Sequence, residues 1–340
     1  MARWLITGGC GFIGRNLIRQ LLARGDISIR VADNLSVGTR HDLAKIHPFE
    51  ERSANELTGR HTARFEFCAG DILDEQFVRD VFDGVDTVVH LAANTGVGPS
   101  ISDPRHDCLQ NVLGTLNCLE ACRYYSIKKF IFASSGAPIG ECEPPIHEEL
   151  PAHPVSPYGA SKLAGEAYCS AYRHSFGIET VALRFSNCYG PFSSHKGSIV
   201  AKYINEAFSD KHWEIFGDGA QSRDFIYVED VVEAVILAAS VNNIGGEVFQ
   251  IATNSETSVA TLAEKLAVVL RRYQVKVPPI MKVDARVGDV RRNFSDTSKA
   301  QTRLGWRAKV SLDDGLDRTV RWFLEACGNK YHFLSPSGVG

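Results

Sequence analysis

Residues 8–14 read Gly8-Gly9-Cys10-Gly11-Phe12-Ile13-Gly14, set between an apolar run at 4–7 and a helical pattern over 12–24. Gly8, Gly11 and Gly14 have the GxxGxxG spacing. Without side chains the backbone can turn tightly and approach a bound group closely, and the helix that follows turns its positive end toward it. A strand, a glycine turn and a helix in that order open a parallel α/β sheet. The first half of the chain keeps this rhythm. Apolar strands are expected at 27–32, 65–68, 87–92, 130–133 and 180–185, with helices near 74–82, 105–125 and 157–176. Each expected strand ends in a loop rich in Gly, Ser, Asn or Asp, where a doubly wound sheet gathers its ligand groups.

Past residue 185 the alternation loosens. Strands are expected at 213–216 and 247–251, and helices near 198–209, 229–240, 258–273 and 311–327. The expected division is a Rossmann-type domain over 1–185, with segments near 224–255 returning to it. A smaller lobe takes 186–223 and 256–330, and 331–340 is a loose tail.

With 340 residues, 44% hydrophobic and 23% charged, the composition is that of an ordinary globular protein. A formal net charge of -3 without a basic stripe argues against nucleic-acid binding. No run of about eighteen apolar residues is present, so a membrane span is not expected. Nine cysteines stand at 10, 68, 108, 118, 122, 142, 169, 188 and 327, with no CxxC pair. Reduced, mostly buried thiols in the cytoplasm are the expectation, with no metal site.

The second expected strand runs into Asp33, about twenty residues past the glycine turn, where a carboxylate can accept bonds from the ribose hydroxyls of a dinucleotide. That carboxylate repels a 2′-phosphate, which favours NAD over NADP. Arg40 nearby is the residue that could pair with such a phosphate. Asp71, after the third strand, can bond an adenine amino group or cap the next helix.

Tyr158-Gly159-Ala160-Ser161-Lys162 opens a helical run, so Tyr158 and Lys162 share one face a turn apart. An ammonium beside a phenol, with a cationic nicotinamide close by, is expected to lower the tyrosine pKa and let it move a proton. Upstream, Phe132-Ala133-Ser134-Ser135-Gly136 ends a strand, where Ser135 can bond a reacting sugar oxygen.

These motifs, with His90-Leu91-Ala92-Ala93, Asn111-Val112-Leu113-Gly114-Thr115-Leu116-Asn117, Arg184-Phe185-Ser186-Asn187-Cys188-Tyr189-Gly190-Pro191 and Gly217-Asp218-Gly219-Ala220-Gln221-Ser222-Arg223-Asp224-Phe225, resemble the extended short-chain dehydrogenase/reductases, specifically the nucleotide-sugar epimerase/dehydratase group. The resemblance spans residues 3–320. It implies Ser135, Tyr158 and Lys162 as catalytic residues. For the cofactor it implies Gly8, Gly11, Phe12, Ile13, Gly14, Asp33, Asn34, Ser36, Gly38, Asp71 and Ile72. Further cofactor contacts implied are Leu91, Ala92, Ala93, Asn111, Ser134, Tyr158, Lys162 and Phe185. Ser135, Tyr158, Asn187, Arg223, Arg286 and Asp289 would meet the sugar nucleotide, and the helices at 105–125 and 157–176 would pair two copies into a homodimer.

Dehydratases of this group carry an Asp-Glu pair after the serine, decarboxylases a Glu and 3,5-epimerases a Cys at the second of those positions; here stand Gly136 and Ala137. What the resemblance leaves is a 4-epimerase acting on a nucleotide sugar, foremost a UDP-hexose. A dehydratase, decarboxylase or reductase of the same group is the alternative, and a non-catalytic binding protein a remoter one. One departure stands beside the site. Relatives read Ser-x-x-x-Val-Tyr-Gly where this chain has Ser135-Gly136-Ala137-Pro138-Ile139-Gly140. In the loop 193–198, Lys196 can hold a phosphate or a sugar carboxylate, or simply be solvated; no role is assigned.

Overall fold

The computed structural model describes residues 2–57, 63–284 and 291–327. The strands in chain order are β1 (Ala2–Thr7), β2 (Ile27–Asp33), β3 (Glu50–Glu51), β4 (Phe65–Ala69), β5 (Thr87–His90), β6 (Lys129–Ser135) and β7 (Glu179–Phe185). There follow β8 (Asn187–Tyr189), β9 (Trp213–Phe216), β10 (Ser222–Arg223), β11 (Phe225–Tyr227), β12 (Glu247–Ile251), β13 (Thr257–Ser258) and β14 (Ile280–Val283). The helices are α1 (Phe12–Arg24), α2 (Arg40–Ala44), α3 (Glu75–Phe82), α4 (Val97–Ser102), α5 (Pro104–Cys108) and α6 (Gly114–Tyr124). After them come α7 (Pro157–Phe176), α8 (Ile199–Phe208), α9 (Val228–Ser240), α10 (Val259–Arg272) and α11 (Leu312–Cys327).

Eight strands make one sheet, in the order β12-β7-β6-β5-β1-β2-β4-β3, with every neighbouring pair parallel. A parallel sheet covered on both faces needs apolar residues at nearly every strand position, and β2 is buried along its whole length. The alternation of side chains then sorts them. Trp4, Ile6, Ile29, Val31, Val89 and Ile131 face α1 and α9, while Leu5, Ala32, Val88, Phe130 and Phe132 face α3, α6 and α7. The strand order reverses between β1 and β5, which is the switch point of a doubly wound sheet. β12 pairs with β7, so the segment that carries it lies in this sheet. A separate core, including Tyr203, Trp213, Leu262, Leu266 and Phe323, joins α8, α10 and α11 beyond the sheet's carboxyl edge.

Two local differences from the sequence reading have physical causes. The expected strand 87–92 stops at His90 because the next two N–H groups turn onto Thr7, from Leu91 to its carbonyl and from Ala92 to its hydroxyl. The single helix expected at 105–125 is α5 and α6 joined by a π-type turn over Leu109–Leu113, a widening common at functional sites. No helix among the described residues is long and apolar enough to cross a membrane.

One ion pair lies inside the sheet layer. Arg30 on β2 donates from Nε to Glu66 on β4 at 3.0 Å and from Nη1 to the carbonyls of Val81 and Asp83 at 2.9 and 2.7 Å. Both side chains are 0% exposed. Removing one partner strands the other charge. Arg30→Met is expected to lower unfolding stability by about 3–5 kcal/mol, and adding Glu66→Leu to recover most of it. Urea titration of the three proteins checks this; an unchanged midpoint in Arg30→Met would sink it.

Candidate active site

The glycine turn sits where β1 ends. Gly8 has φ +69°, and a side chain there would put its Cβ 2.6 Å from the Ala92 nitrogen. At Gly14 a Cβ would lie 2.6 Å from the Gly9 Cα, and at Gly38 only 2.1 Å from the Cys10 carbonyl oxygen. Three stretches of bare backbone therefore pack together at the switch point. α1 begins at Gly11 with no side-chain cap and no acidic residue in its first turn, so its opening N–H groups and dipole suit an anion. This cradle fits a dinucleotide pyrophosphate. Phe12 and Ile13 lean on the core from that first turn.

Asp33 ends β2 beside it, buried, accepting the Cys10 N–H at 2.9 Å and the Leu35 N–H at 2.8 Å. Burial raises its pKa, against those two amide bonds. Each oxygen retains a further lone pair, which is what ribose hydroxyls require. Arg40 is turned away, donating to Glu51 at 2.8 Å, so it is not waiting for a 2′-phosphate. Asn34 donates to Asp71 at 3.0 Å and accepts the Ser36 N–H at 3.0 Å, so the loops after β2 and β4 are tied together. Ile72 packs on Gly114, where a Cβ would come within 2.5 Å of its side chain. Leu91, Ala92 and Ala93 follow β5, directly across from Gly8.

The residues expected to move a proton come from β6 and α7. Ser156 caps α7, accepting the Gly159 N–H at 3.1 Å with Pro157 in the first turn. That start places Tyr158 beside the end of β6, close enough to Ser135 for the serine to act on its phenol. One turn on, the nearly buried Lys162 reaches back to donate to the Ala133 carbonyl at 2.9 Å, its Nζ 6.0 Å from the centre of the Tyr158 ring. Burial lowers Lys162 to about 8, with Asp107 and Glu166 opposing. The expected lowering of Tyr158 is not found in the protein alone. Burial pushes the phenol up, with the Asp107 charge adding to it and Ser135 opposing; the Lys162 ammonium is bonded to a carbonyl instead.

Behind these residues lies a network that sequence reasoning missed. Thr115 donates to the Asn111 carbonyl at 2.6 Å, so His90 Nε2 must donate to Thr115, and Thr7 to His90 Nδ1. Burial lowers His90 to about 3, which keeps it neutral in that chain. Asn111 donates to Asn94 O, Asp107 Oδ1 and Ser161 Oγ at 3.0, 3.1 and 3.0 Å and accepts the Asn94 N–H at 2.8 Å. Its two N–H groups are shared among those three acceptors, so the side chain braces the site while its oxygen keeps a lone pair. The Ser134 hydroxyl is likewise engaged within the fold: it donates to Glu166, which Arg184 holds through two bonds of 2.8 and 2.7 Å. Alternation along β6 sends Ser135 to the opposite side. Phe185, paired in register with Ser135, is a core residue at the cleft floor. Asp107, four residues before Asn111 on the same helical face, was the one legible signal of the network.

Asn187 is exposed on β8, and Arg223 lies half-buried on β10, its Nη1 donating to the Ser222 carbonyl at 2.7 Å. Arg286 and Asp289 fall outside the described residues. Among the described residues, no group of three His, Cys, Asp or Glu is placed to hold a metal ion.

Residues 4–252 match the model of the NAD dependent epimerase/dehydratase family. The chain belongs to that family. It is 33% identical over 328 residues to the UDP-glucose 4-epimerase of Mycolicibacterium smegmatis, covering 94% of this chain and 98% of that protein. The solved UDP-glucose 4-epimerase of Thermotoga maritima with UDP-glucose superposes with a TM-score of 0.84 at 34% identity, over 95% of this chain and 99% of that one. The UDP-glucuronic acid 4-epimerase of Bacillus cereus, solved with UDP-glucuronic acid and NAD, gives a TM-score of 0.84 at 30% identity with the same coverage.

The packing of Gly38 on Cys10 carries a prediction for this family member. Gly38→Ala is expected to weaken NAD retention by about tenfold or more, because the cradle must open to admit the methyl group. Fluorescence titration with NADH measures it, and wild-type affinity would show that residue 38 does not back the cofactor turn.

Proposed function

We propose that the chain inverts C4 of a UDP-hexose through a transient 4-keto sugar. The observation that carries the reading is the convergence of Ser135, Tyr158 and Lys162 at one strand end, followed by two residues that cannot move a proton. A Cβ added to Gly136 would meet nothing within 4 Å, and Ala137 has only a methyl group to offer. The inventory is sufficient for removing and returning one hydroxyl proton, and holds no second acid or base for loss of water.

NAD, when bound in the cradle of Gly8, Gly11, Gly14 and Asp33, supplies a hydride acceptor and donor and a positive ring charge. Ser135 accepts or donates a hydrogen bond at the C4 oxygen and orients it. Tyr158 takes the C4 hydroxyl proton as the carbonyl forms and gives it back after the sugar has turned over. Lys162 stabilises the phenolate that this requires. Asn187 and Arg223 hold the sugar nucleotide, Arg223 suiting a diphosphate. A homodimer across the helical segment 97–124 is supported by exposed Val97, Ile101, Leu109 and Leu113. Cys10, Cys68, Cys108, Cys118, Cys122, Cys142, Cys169 and Cys188 are free, which suits a cytoplasmic enzyme.

Incubation with UDP-, dTDP-, GDP- and CDP-hexoses, followed by chromatography with mass and NMR detection, tests the reaction. The expected product keeps the substrate mass and is inverted at C4, and Tyr158→Phe lowers the rate by about 10²–10⁴-fold. A product lighter by water or carbon dioxide would sink the reading.

The pH dependence follows from Lys162. Its folded pKa is depressed to about 8, so the ammonium is complete below that pH and lost above it. kcat/KM is expected to fall as the pH rises through this value, since the charge beside the phenolate disappears. A profile flat from pH 7 to about 9.5 would contradict the assignment.

A further inference from the structure

Lys196 lies in the connection between β8 and α8, and its side chain is drawn inward. The Nζ sits 5.0 Å over the ring of Phe12, the first residue of α1. Its one hydrogen bond goes to the carbonyl of Cys188, the residue after Asn187, and is long at 3.4 Å. The ammonium thus stands where the cofactor turn meets the strand that leads into the sugar-nucleotide lobe. Burial lowers its pKa. Among the described residues it has no carboxylate in ion-pairing reach, although an ammonium carries three donors.

The connection is built to hold it there. Asn16 donates to Pro191 O at 3.0 Å and Arg15 to Phe192 O at 2.8 Å, both from α1. Ser193 donates to Gly190 O at 2.6 Å, and the Lys196 N–H to Ser193 O at 2.8 Å. Two residues on, Ser198 begins α8 without capping it, and its buried hydroxyl has no partner among the described residues. Among the described residues, buried Arg30 and Arg184 sit on the carboxylates of Glu66 and Glu166, whereas Lys162 at the cleft faces the Ala133 carbonyl. A half-buried ammonium bonded only to a distant carbonyl keeps donors that an arriving anion can use.

We infer that Lys196 is a specificity-determining residue whose ammonium takes an anionic oxygen of the bound ligand. Three sources share that chemistry: a carboxylate on the sugar, the diphosphate of the sugar nucleotide and the pyrophosphate of the cofactor. The inference rests on the proposed sugar-nucleotide reading for the first two.

Lys196→Met keeps the apolar stem and deletes the charge. Calorimetric titration of the NAD-loaded protein with UDP, UDP-glucose and UDP-glucuronate, together with NAD retained through gel filtration, separates the sources. A loss of about 10- to 100-fold confined to UDP-glucuronate assigns the carboxylate. An equal loss for all three compounds assigns the substrate diphosphate, and loss of retained NAD assigns the cofactor. Affinities and NAD content within about twofold of wild type overturn the inference. Should Lys196→Met lower Tm, Lys196→Arg decides: recovered binding supports a charge role, whereas a loss as large as that of the methionine variant marks a packing role and overturns it. These are binding readouts. A wild-type protein that binds the compounds but converts none of them overturns the proposed reaction and leaves Lys196 to stand or fall by its own titration.

Discussion

Between the carboxyl ends of β1 and β5 the two loops approach until Gly8 and Ala92 are separated by less than a methyl group needs. That approach is held by two hydrogen bonds from the loop after β5 onto Thr7 and by the neutral His90 between Thr7 and Thr115. A charged imidazole would need a different set of partners, so the burial that keeps His90 near 3 also keeps the two loops together. From this contact follows the position of α1, whose first turn faces the same crevice as Asp33, Leu91 and Ser135. No single loop makes the site; four strand ends do, and the sheet fixes their spacing.

Charge is handled in two ways in this interior. Arg30 and Arg184 lie in the layers beside the sheet with carboxylates at 3.0 and 2.7 Å, where they do not change state. Lys162, at the cleft, is held by a backbone carbonyl instead, with Asp107 acting on it from farther off. A carbonyl fixes the ammonium in place without binding its proton tightly. The result is a cation positioned as firmly as the arginines but free to titrate near neutrality, which is what a proton-transfer site requires.

The long elements were legible because buried parallel strands are continuous apolar runs and α3, α7 and α10 open on side-chain caps. β9, β12, α1 and α7 stand where the periodicity puts them. Strands β3, β10 and β13 have two residues each, too few to show any period. The site was legible as a set of motifs but not as orientations. Ser134 and Ser135 are adjacent letters, and only the sheet's faces tell that the first braces Glu166 and the second meets Tyr158. Asn111 is part of a recognisable motif, yet four hydrogen bonds within the fold engage its amide. The direction of the Tyr158 shift follows first from its burial, which spacing on a helix cannot show.

The turn after Ser135 is where this chain departs from its relatives, and its packing says what the departure changes. Pro138 and Ile139 are buried rather than exposed to the cleft. The Ile139 carbonyl accepts the His153 N–H at 3.2 Å, and at Gly140, with φ +75°, a Cβ would strike the His153 carbonyl at 2.0 Å. Ala137 in turn lies so close to Gly159 that a Cβ there would come within 2.6 Å of its carbonyl oxygen. The backbone of Ile139 therefore ties the turn to the segment leading into α7, and its buried side chain adds no group able to bond or protonate a sugar. The proposed proton inventory of Ser135, Tyr158 and Lys162 is therefore left unchanged by this turn.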